Sequence, residues 1–526
     1  GHRAHRQRPA RAGPHRPLPH FVFVFTLGSA MSGVTLTLLQ PNSTTGKLAE
    51  NFQGIQAILD ALPKVAGSQL VVIPAKSLEG VSGKKVLFWP VARENYSTMI
   101  EKVVEFAQGD TALVMSVIVL SGQEKTLFAH HGEYALLPRE TSLEWGGIEF
   151  DIHKKAAGRA LLDIHRVSLA GNRVEKLGTH VPTFFVSIAG GDSTYIAAGD
   201  SGYYFKEEVV PLPHWQSGTI RFKVQINEQK QFTVKRVYQT TAQFPVCSLN
   251  DTYEALRAGL RDYVTKNRIK GVVLGLSGGV DSALVATLAV DALGADKVKG
   301  ILLPSRFTSE QSLRCAEELV DHLEIETETI SIEPIFNASL KTLAPIFGKA
   351  AWDVTEENLQ ARARALILMG VANKEGRLLL CTSNKAEASM GYGTLYGDIT
   401  GGYAPLIDLW KREIYELCRS RNARAGCDWI PSEILERAPS AELREGQLDS
   451  DSLPPYDEIE IVVDTLLKGG AAEELKERYG EAKVNDIVHR FFANAYKRAQ
   501  GIPGPTVSKT PLATTREWGM GGDWLI

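Results

Sequence analysis

Residues 274–283, with the sequence LGLSGGVDSA, mark the point at which an apolar strand gives way to a helix. The run GVVLGL (271–276) predicts a buried strand, and DSALVATLAVDALG (281–294) predicts a helix. Between them, Gly278 and Gly279 let backbone N–H groups approach an anion, and the helix turns its positive end to the same place. The alternative is an ordinary strand-to-helix turn with a Ser or Asp N-cap. The paired glycines between serines favour a phosphate-binding loop.

The charged residue of this loop narrows the type of phosphate site. A Walker A loop needs a Lys that enters the site, but the first Lys after this turn is Lys297, at the far end of the helix. The loop carries Asp281 instead. Because a carboxylate beside phosphates is repulsive unless a divalent cation lies between them, Asp281 predicts a Mg²⁺ ion.

The alternation of strand and helix continues on both sides of the loop. Apolar strands at 298–304 and 327–332 and an amphipathic helix at 309–323 predict an α/β fold with a doubly wound parallel sheet, which binds ligands at the C-terminal ends of its strands. The chain from Met31 also opens as α/β, but strands crowd together between 125 and 245. We therefore expect two domains, at 31–243 and 244–526.

Composition limits the classes of partner. The 526 residues carry a net charge of -3, so neither nucleic acid nor an anionic membrane is an expected partner. The five cysteines form no CxxC pair, which fits a reducing compartment, and we expect the cytoplasm.

The first thirty residues are rich in Arg, His and Pro and end in a short apolar run, 21–27. They could be a signal peptide, a nucleic-acid-binding tail, or an extension in front of a native start at Met31. We expect the last, since ordinary fold signals begin just after Met31.

The motif SGGVDS (277–282) resembles the pyrophosphate-binding loop of the ATP pyrophosphatases of the adenine nucleotide alpha hydrolase type. Four downstream stretches are similar to the synthetase domain of glutamine-dependent NAD synthetases: TEENLQARARALILMGVANK (355–374), LLLCTSNKAEASMGYGTLYGDITGGYAPLIDLWKREIYEL (378–417), RAPSAELREGQLDSDSLPPYDEIE (437–460) and ANAYKRAQGIPGP (493–505). The resemblance implies ATP-dependent amidation of deamido-NAD through an acyl-adenylate, in a homo-oligomer that is at least a dimer.

The resemblance also implies site residues. Asp281, Glu387 and Lys411 would be catalytic, and Asp281 and Glu387 would hold Mg²⁺. ATP would contact Ser277, Gly278, Gly279, Val280, Asp281, Ser282, Arg306, Thr382, Lys411 and Ser440. Deamido-NAD would contact Asn358, Glu387, Tyr392, Gly393, Thr394, Leu395 and Lys497. Ser383 is a departure, because relatives usually have Gly there. The alternative for Arg306, and for the helix that carries Asn358, Arg362 and Arg364, is a solvated surface.

The first half resembles the nitrilase-like glutaminase domain of the same family, whose catalytic triad is Glu, Lys and Cys. Here the Glu position is Ala75, with Glu79 too far along the chain, and the Cys segment corresponds to the region of His153 and Lys154. No cysteine precedes Cys247, so this half cannot supply a thiolate nucleophile. A base-activated Ser187 or Ser193, with His130, His131 or His153, is a remote alternative.

We therefore expect an inactive glutaminase half and a synthetase that uses ammonia. One alternative is a glutamine-dependent enzyme with an unrecognised or partner-supplied glutaminase. Another is a non-catalytic sensor of nucleotides, against which the complete SGGVDS loop with Thr382, Glu387 and Lys411 argues.

Overall fold

The structure is a computed structural model, and it describes residues 32–45, 47–79, 90–119, 123–152, 160–164, 181–192, 195–229, 231–241, 250–470 and 473–513. The extension 1–30, the expected domain boundary at 243/244, and His153, Lys154 and Ser193 lie outside these residues. No helix in the described ranges combines the length and apolar character needed to cross a membrane.

The described part of the N-terminal half contains two helices and a series of strands. The helices are α1 (Leu48–Asp60) and α2 (Pro90–Val104). The strands are β1 (Ser32–Gln40), β2 (Gln69–Ile73), β3 (Thr111–Ile118), β4 (Glu124–His130), β5 (Glu133–Leu137), β6 (Thr141–Trp145), β7 (Ile148–Ile152), β8 (Ala160–Asp163), β9 (Thr183–Phe185), β10 (Ala189–Asp192), β11 (Tyr195–Ala198), β12 (Gly202–Phe205), β13 (Glu208–Pro211), β14 (Gly218–Ile226) and β15 (Phe232–Thr241).

These strands form two large sheets that pack face to face. One sheet has the order β15-β14-β1-β2-β3-β4-β5, and the other has the order β13-β12-β9-β8-β7-β6. Leu36, Phe150, Phe184 and Phe222 fill the space between them and are almost completely buried. Helices α1 and α2 cover the outer face of the first sheet through a second apolar cluster that includes Ile55 and Val103. The result is a layered α/β sandwich.

The C-terminal half is a parallel sheet covered by helices on both faces. Its strands are β16 (Val272–Leu276), β17 (Val298–Leu302), β18 (Glu326–Thr329) and β19 (Leu378–Leu379), in the order β18-β17-β16-β19. Its helices are α3 (Asp251–Lys266), α4 (Val280–Leu293), α5 (Glu310–Leu323), α6 (Glu333–Phe347), α7 (Val354–Glu375), α8 (Lys385–Met390), α9 (Lys411–Ala425), α10 (Ser432–Glu436), α11 (Tyr456–Leu467), α12 (Glu473–Tyr479), α13 (Glu481–Ala493) and α14 (Ala495–Ala499). The predicted doubly wound parallel sheet is present.

Burial explains why the central strands β16 and β17 read as apolar runs, whereas the edge strand β18 is polar and exposed. Helices α3, α4, α5 and α9 contribute to the core on one face of the sheet, and α6 and α7 cover the other face. Helix α4 is apolar all round, since Leu284, Ala286 and Leu288 are each fully buried. A strand buried on both faces gains nothing from alternating polar residues.

The two halves meet where α3 lies against β10. Lys266 Nζ donates to Asn42 Oδ1 at 2.7 Å and to the carbonyl oxygen of Gly191, and Lys47 Nζ donates to Lys266 O at 2.6 Å. The Asp262 carboxylate accepts hydrogen bonds from Asn42 Nδ2 at 3.0 Å and Gly191 N at 2.7 Å. Strand β10 and the loop that follows β1 are thus bound to the first helix of the C-terminal half.

Candidate active site

The SGGVDS loop connects the C-terminal end of β16 to α4, as expected from the sequence. Its serines close the turn: Ser277 Oγ lies 3.1 Å from Ser282 Oγ, and Gly279 N donates to Ser277 Oγ at 3.2 Å. Gly278 has φ +74°, and a Cβ there would lie 2.2 Å from the carbonyl oxygen of Ser312. Only glycine fits this position, because any side chain would collide with backbone that cannot move away.

Asp281 lies in the first turn of α4 and faces two groups from distant segments. Lys411 Nζ, at the start of α9, lies 2.5 Å from Asp281 Oδ2 and 3.9 Å from Glu387 Oε1. Asn384 Nδ2 donates to Asp281 Oδ1 at 3.1 Å and to Glu387 Oε1 at 2.8 Å. The structure therefore brings together the three residues expected to be catalytic, with Asn384 between the two carboxylates.

A capping box sets the direction of Glu387. Asn384 is the N-cap of α8, and its side chain accepts a hydrogen bond from Glu387 N at 3.0 Å. In return, Glu387 Oε2 accepts from Asn384 N at 3.2 Å. This reciprocal arrangement fixes one carboxylate oxygen and leaves the other turned toward Asp281 and Lys411. Asn384 was not among the expected site residues, although its spacing to Glu387 matches a capping box with Asn in place of Ser or Thr.

The electrostatics of this cluster favour an added cation. Burial, together with the negative charge of Asp281, raises the pKa of Glu387 to about 8. Burial alone would lower the pKa of Lys411, but the charges of Asp281 and Glu387 outweigh it and raise that pKa. The Lys411 ammonium is shared by two carboxylates, so the ionised form of Glu387 lacks a full positive counter-charge.

The donor set fits the predicted Mg²⁺ ion. Asp281 and Glu387 offer carboxylate oxygens, the ligands that Mg²⁺ prefers, and Mg²⁺ usually takes only one or two protein carboxylates with substrate phosphates and water. No group of three His, Cys, Asp or Glu side chains suited to a metal occurs among the described residues. A two-carboxylate site that phosphate oxygens complete is therefore the arrangement that these residues allow.

A large cleft opens at this cluster, and most of the expected ATP-binding residues line it. Its wall includes Ser277, Gly279, Val280, Asp281, Ser282, Thr382, Lys411 and Ser440. Arg306 does not line it. The Arg306 guanidinium instead pairs with Glu333 and donates to Asn337 Oδ1 at 2.8 Å, and this pairing lowers the pKa of Glu333 to about 2.

Most of the residues expected to bind deamido-NAD line the same cleft. Thr394 Oγ1 donates to Asn358 Oδ1 at 2.6 Å, which joins the 392–395 loop to α7. Lys497 Nζ donates to the carbonyl oxygens of Gly391 and Gly393 at 2.6 and 2.8 Å. Tyr392 and Gly393 also line the cleft, whereas Leu395 does not.

Arg364 also lines the cleft, although its helix pattern suggested a solvated charge. Its Nε donates to Leu303 O at 3.1 Å, and burial lowers its pKa to about 10. Helical spacing could have indicated this position, because Arg364 lies three residues after Ala361, which is buried at the cleft wall.

A smaller cavity adjoins the cleft. The two share part of their walls, through Cys381, Ser383, Glu387, Gly391, Tyr392 and Lys497. Ser383, the departure from the family pattern, therefore lies between them. Its Oγ lies 3.4 Å from Cys381 Sγ, so the extra hydroxyl has a nearby partner.

The expected glutaminase positions of the N-terminal half carry no matching chemistry where the structure describes them. Ala75 is buried, and its backbone N donates to Ile164 O at 2.7 Å. Ser187 Oγ is fully buried and donates to Ile188 O at 3.2 Å. His130 lies on β4 of the seven-stranded sheet, and its Nε2 lies 2.9 Å from Gly109 O.

Comparison with known proteins agrees with this geometry. The sequence profile of the NAD synthase family matches residues 252–501. A glutamine-dependent NAD(+) synthetase of Rhodobacter capsulatus is 37% identical over 551 residues, covering 93% of this chain and 98% of that protein. One from Xylella fastidiosa (strain 9a5c) is 44% identical over 268 residues, which are 51% of this chain and 49% of that protein.

A solved structure extends the likeness to the fold. It is a glutamine-dependent NAD+ synthetase from Acinetobacter baumannii in complex with ADP, with a TM-score of 0.68 and 24% identity. The match covers 94% of this chain and 99% of that one. Both predicted folds, the nitrilase-like sandwich and the parallel-sheet synthetase domain, are confirmed.

Proposed function

The chain belongs to the family of glutamine-dependent NAD(+) synthetases, which are carbon–nitrogen ligases, and we propose from this premise that it converts deamido-NAD to NAD at the expense of ATP. The observation that carries the proposal is the cluster of Asp281, Lys411 and Glu387 at the mouth of the SGGVDS loop. These groups meet where a phosphate-binding loop and the expected dinucleotide residues share one cleft.

The first half-reaction forms an acyl-adenylate. The nicotinate carboxylate of deamido-NAD attacks the α-phosphorus of ATP, the α–β phosphoanhydride bond breaks, and pyrophosphate leaves. Backbone N–H groups of the loop and the Lys411 ammonium stabilise the negative charge that accumulates on the departing pyrophosphate. A Mg²⁺ ion held by Asp281 and Glu387 would neutralise further phosphate charge.

The second half-reaction makes the amide. Ammonia attacks the acyl carbon, the bond to the AMP oxygen breaks, AMP leaves, and one proton of the former ammonia passes to solvent water. The protein contributes chiefly by holding both substrates in line, since adenylation already provides a good leaving group. Asn358, Tyr392 to Thr394 and Lys497 would place the dinucleotide, and Thr382 and Ser440 would contact ATP.

The sequence led us to expect ammonia as the nitrogen source, and this expectation has to be corrected. The relatives are named glutamine-dependent, so they favour glutamine over exclusive use of free ammonia. Residues 1–246 nevertheless contain no cysteine, and Ala75 stands where the family has its Glu. We therefore propose that glutamine is hydrolysed at a site on a partner protein and that its ammonia reaches this synthetase cleft.

We also propose that the chain works as a homodimer. Helix α7 exposes Val354, Arg362 and Leu366, and the side chains of Val354 and Leu366 are more than half exposed. Trp352 precedes α7 by two residues and is 53% exposed. Tyr396 follows the 392–395 loop, which is hydrogen-bonded to α7, and is 69% exposed. Large apolar side chains exposed in one region of the surface are a common feature of protein interfaces.

The experiment compares nitrogen donors. Purified chain receives deamido-NAD, ATP and Mg²⁺ with ammonium, with glutamine, or with glutamine plus a separate glutaminase, and both NAD and pyrophosphate are measured. We expect turnover in the first and third reactions, and none in any reaction with Asp281→Ala. Turnover on glutamine alone would contradict the partner proposal, and absence of pyrophosphate in all three would contradict synthetase function.

A further inference from the structure

A third carboxylate, from Asp449, lies beside the catalytic cluster. Only 7% of Asp449 is exposed, and it lines the cleft. Its Oδ2 accepts a hydrogen bond from the hydroxyl of Tyr456 at 2.7 Å, and its Oδ1 accepts one from the hydroxyl of Tyr392 at 3.3 Å. One buried carboxylate thus holds two phenols that come from different segments of the chain.

Of the two tyrosines, Tyr392 lines the cleft, and Tyr456 contacts Lys411, which lines it too. Lys411 Nζ lies 5.3 Å from the centre of the Tyr456 ring, within the range of a cation–π interaction. Tyr392 begins the loop expected to bind deamido-NAD and lines the cleft. Asp449 is therefore connected through one hydroxyl to the side chain that meets phosphate, and through the other to the loop that meets the acyl substrate.

The backbone around Asp449 is also anchored to the ATP-binding side. Asp449 N donates to Pro439 O at 3.1 Å, and Ser440 Oγ donates to Gln447 O at 2.5 Å. The segment 439–449 is thus folded back on itself, which holds Ser440 and Asp449 on the same wall of the cleft. A substitution at Asp449 therefore acts on a part of the chain that is already braced.

We propose that Asp449 is a positioning residue for amidation, which holds Tyr456 against Lys411 and fixes Tyr392, the first residue of the dinucleotide loop, so that both substrates meet in line. The inference rests on the proposed function. It adds a residue that touches neither reacting atom and acts through the two phenols.

The protonation of the phenols is consistent with this role. Burial, with the negative charge of nearby carboxylates, raises the pKa of both Tyr392 and Tyr456, so both remain hydrogen-bond donors throughout the neutral range. The negative charge of Asp449 also helps to raise the pKa of Lys411, which keeps the ammonium charged for phosphate.

The test compares Asp449→Ala, Asp449→Asn and Tyr456→Phe in the full chain, with ammonium as the donor. We expect Asp449→Ala to lower kcat about 10- to 100-fold, and Asp449→Asn, whose amide can still pair with both phenols, to recover most of that loss. Tyr456→Phe should lower kcat about 3- to 10-fold, and the double variant Asp449→Ala/Tyr456→Phe should be no slower than Asp449→Ala. The matched control is Asp451→Asn, two residues away, whose exposed carboxylate pairs with Arg444.

A second measurement separates this inference from the proposed function. Calorimetric titration with ATP and Mg²⁺ should show binding about 5- to 10-fold weaker for Asp449→Ala and unchanged for Asp451→Asn. Normal kcat for Tyr456→Phe, or losses that add in the double variant, would overturn the role of Asp449. Wild-type chain that binds ATP with the expected dependence on Asp449 but makes no NAD would instead overturn the proposed function.

Discussion

The buried ion pair between Lys385 and Asp408 offers a sharp test of how the active site is held. Lys385 is fully buried, Asp408 is 3% exposed, and Lys385 Nζ lies 3.3 Å from Asp408 Oδ1. The carboxylate also accepts hydrogen bonds from Val507 N, Ser508 N and Ser508 Oγ at 2.7 to 2.8 Å. The pair therefore binds the C-terminal segment to the chain just before α9 and to the first residue of α8.

Removing one charge leaves the other without compensation. Among the described residues, Lys385 has Ser508 Oγ as its other hydrogen-bond partner and the Trp410 ring, 4.8 Å from Nζ, as a cation–π partner, and neither is an anion. We therefore expect Asp408→Asn to lower the free energy of unfolding by about 3 to 5 kcal/mol. The double variant Lys385→Met/Asp408→Asn should cost only about 1 to 2 kcal/mol, since no buried charge is then left unpaired. Glu387 follows Lys385 by two residues and Lys411 follows Asp408 by three, so kcat should also fall at least about tenfold.

Urea unfolding followed by tyrosine and tryptophan fluorescence measures the stability, and the ammonium-supported reaction measures kcat. The control is Glu416→Gln on α9, whose pair with Arg412 is exposed on both sides and should contribute less than about 0.5 kcal/mol. A loss below about 1 kcal/mol for Asp408→Asn, or a double variant less stable than either single one, would refute the reasoning.

Three other perturbations probe separate parts of the molecule. Burial raises the pKa of Glu79 to about 7; the folded state therefore holds a proton that the unfolded chain has lost, so stability should fall as pH rises from about 4.5 to 7. Glu79→Gln should reduce this loss of stability by up to about 3 kcal/mol, measured by urea unfolding at several pH values, without changing ammonium-supported kcat. Lys411→Met should lower kcat about 10²- to 10³-fold in a pyrophosphate-release assay, and a fall below fivefold would exclude its role at the phosphates. Lys266→Met should remove the bonds to Asn42 and Gly191 and separate thermal unfolding into two calorimetric transitions; a single unshifted transition would show that the junction does not depend on it.

Local patterns predicted the parts of this protein that local physics builds. The glycine loop lies at the end of β16 because a strand, a turn that needs positive φ and a helix are all encoded within ten residues. The partners of individual charged side chains could not be predicted in that way. Arg306 follows a strand end as a nucleotide-binding residue would, but Glu333 and Asn337, about thirty residues later, receive its guanidinium.

Residues of the site that the sequence analysis missed share one property. Asn384 acts on Asp281, which is 103 residues away, and Asp449 acts on Tyr392, which is 57 residues away. Arg364 reaches the backbone of Leu303 across 61 residues. No periodicity records such pairs, because each depends on which helix ends the fold brings together.

The sequence by itself determined the α/β class, the parallel sheet, the phosphate loop and the absence of a thiol from the first 246 residues. These follow from composition and from short-range preferences of the backbone. Only the tertiary structure decided that Lys411 lies between Asp281 and Glu387 and that one cleft joins the two groups of expected substrate residues. The physical reason is that electrostatics and burial act across space, and the distances between these groups exist only when the chain is folded.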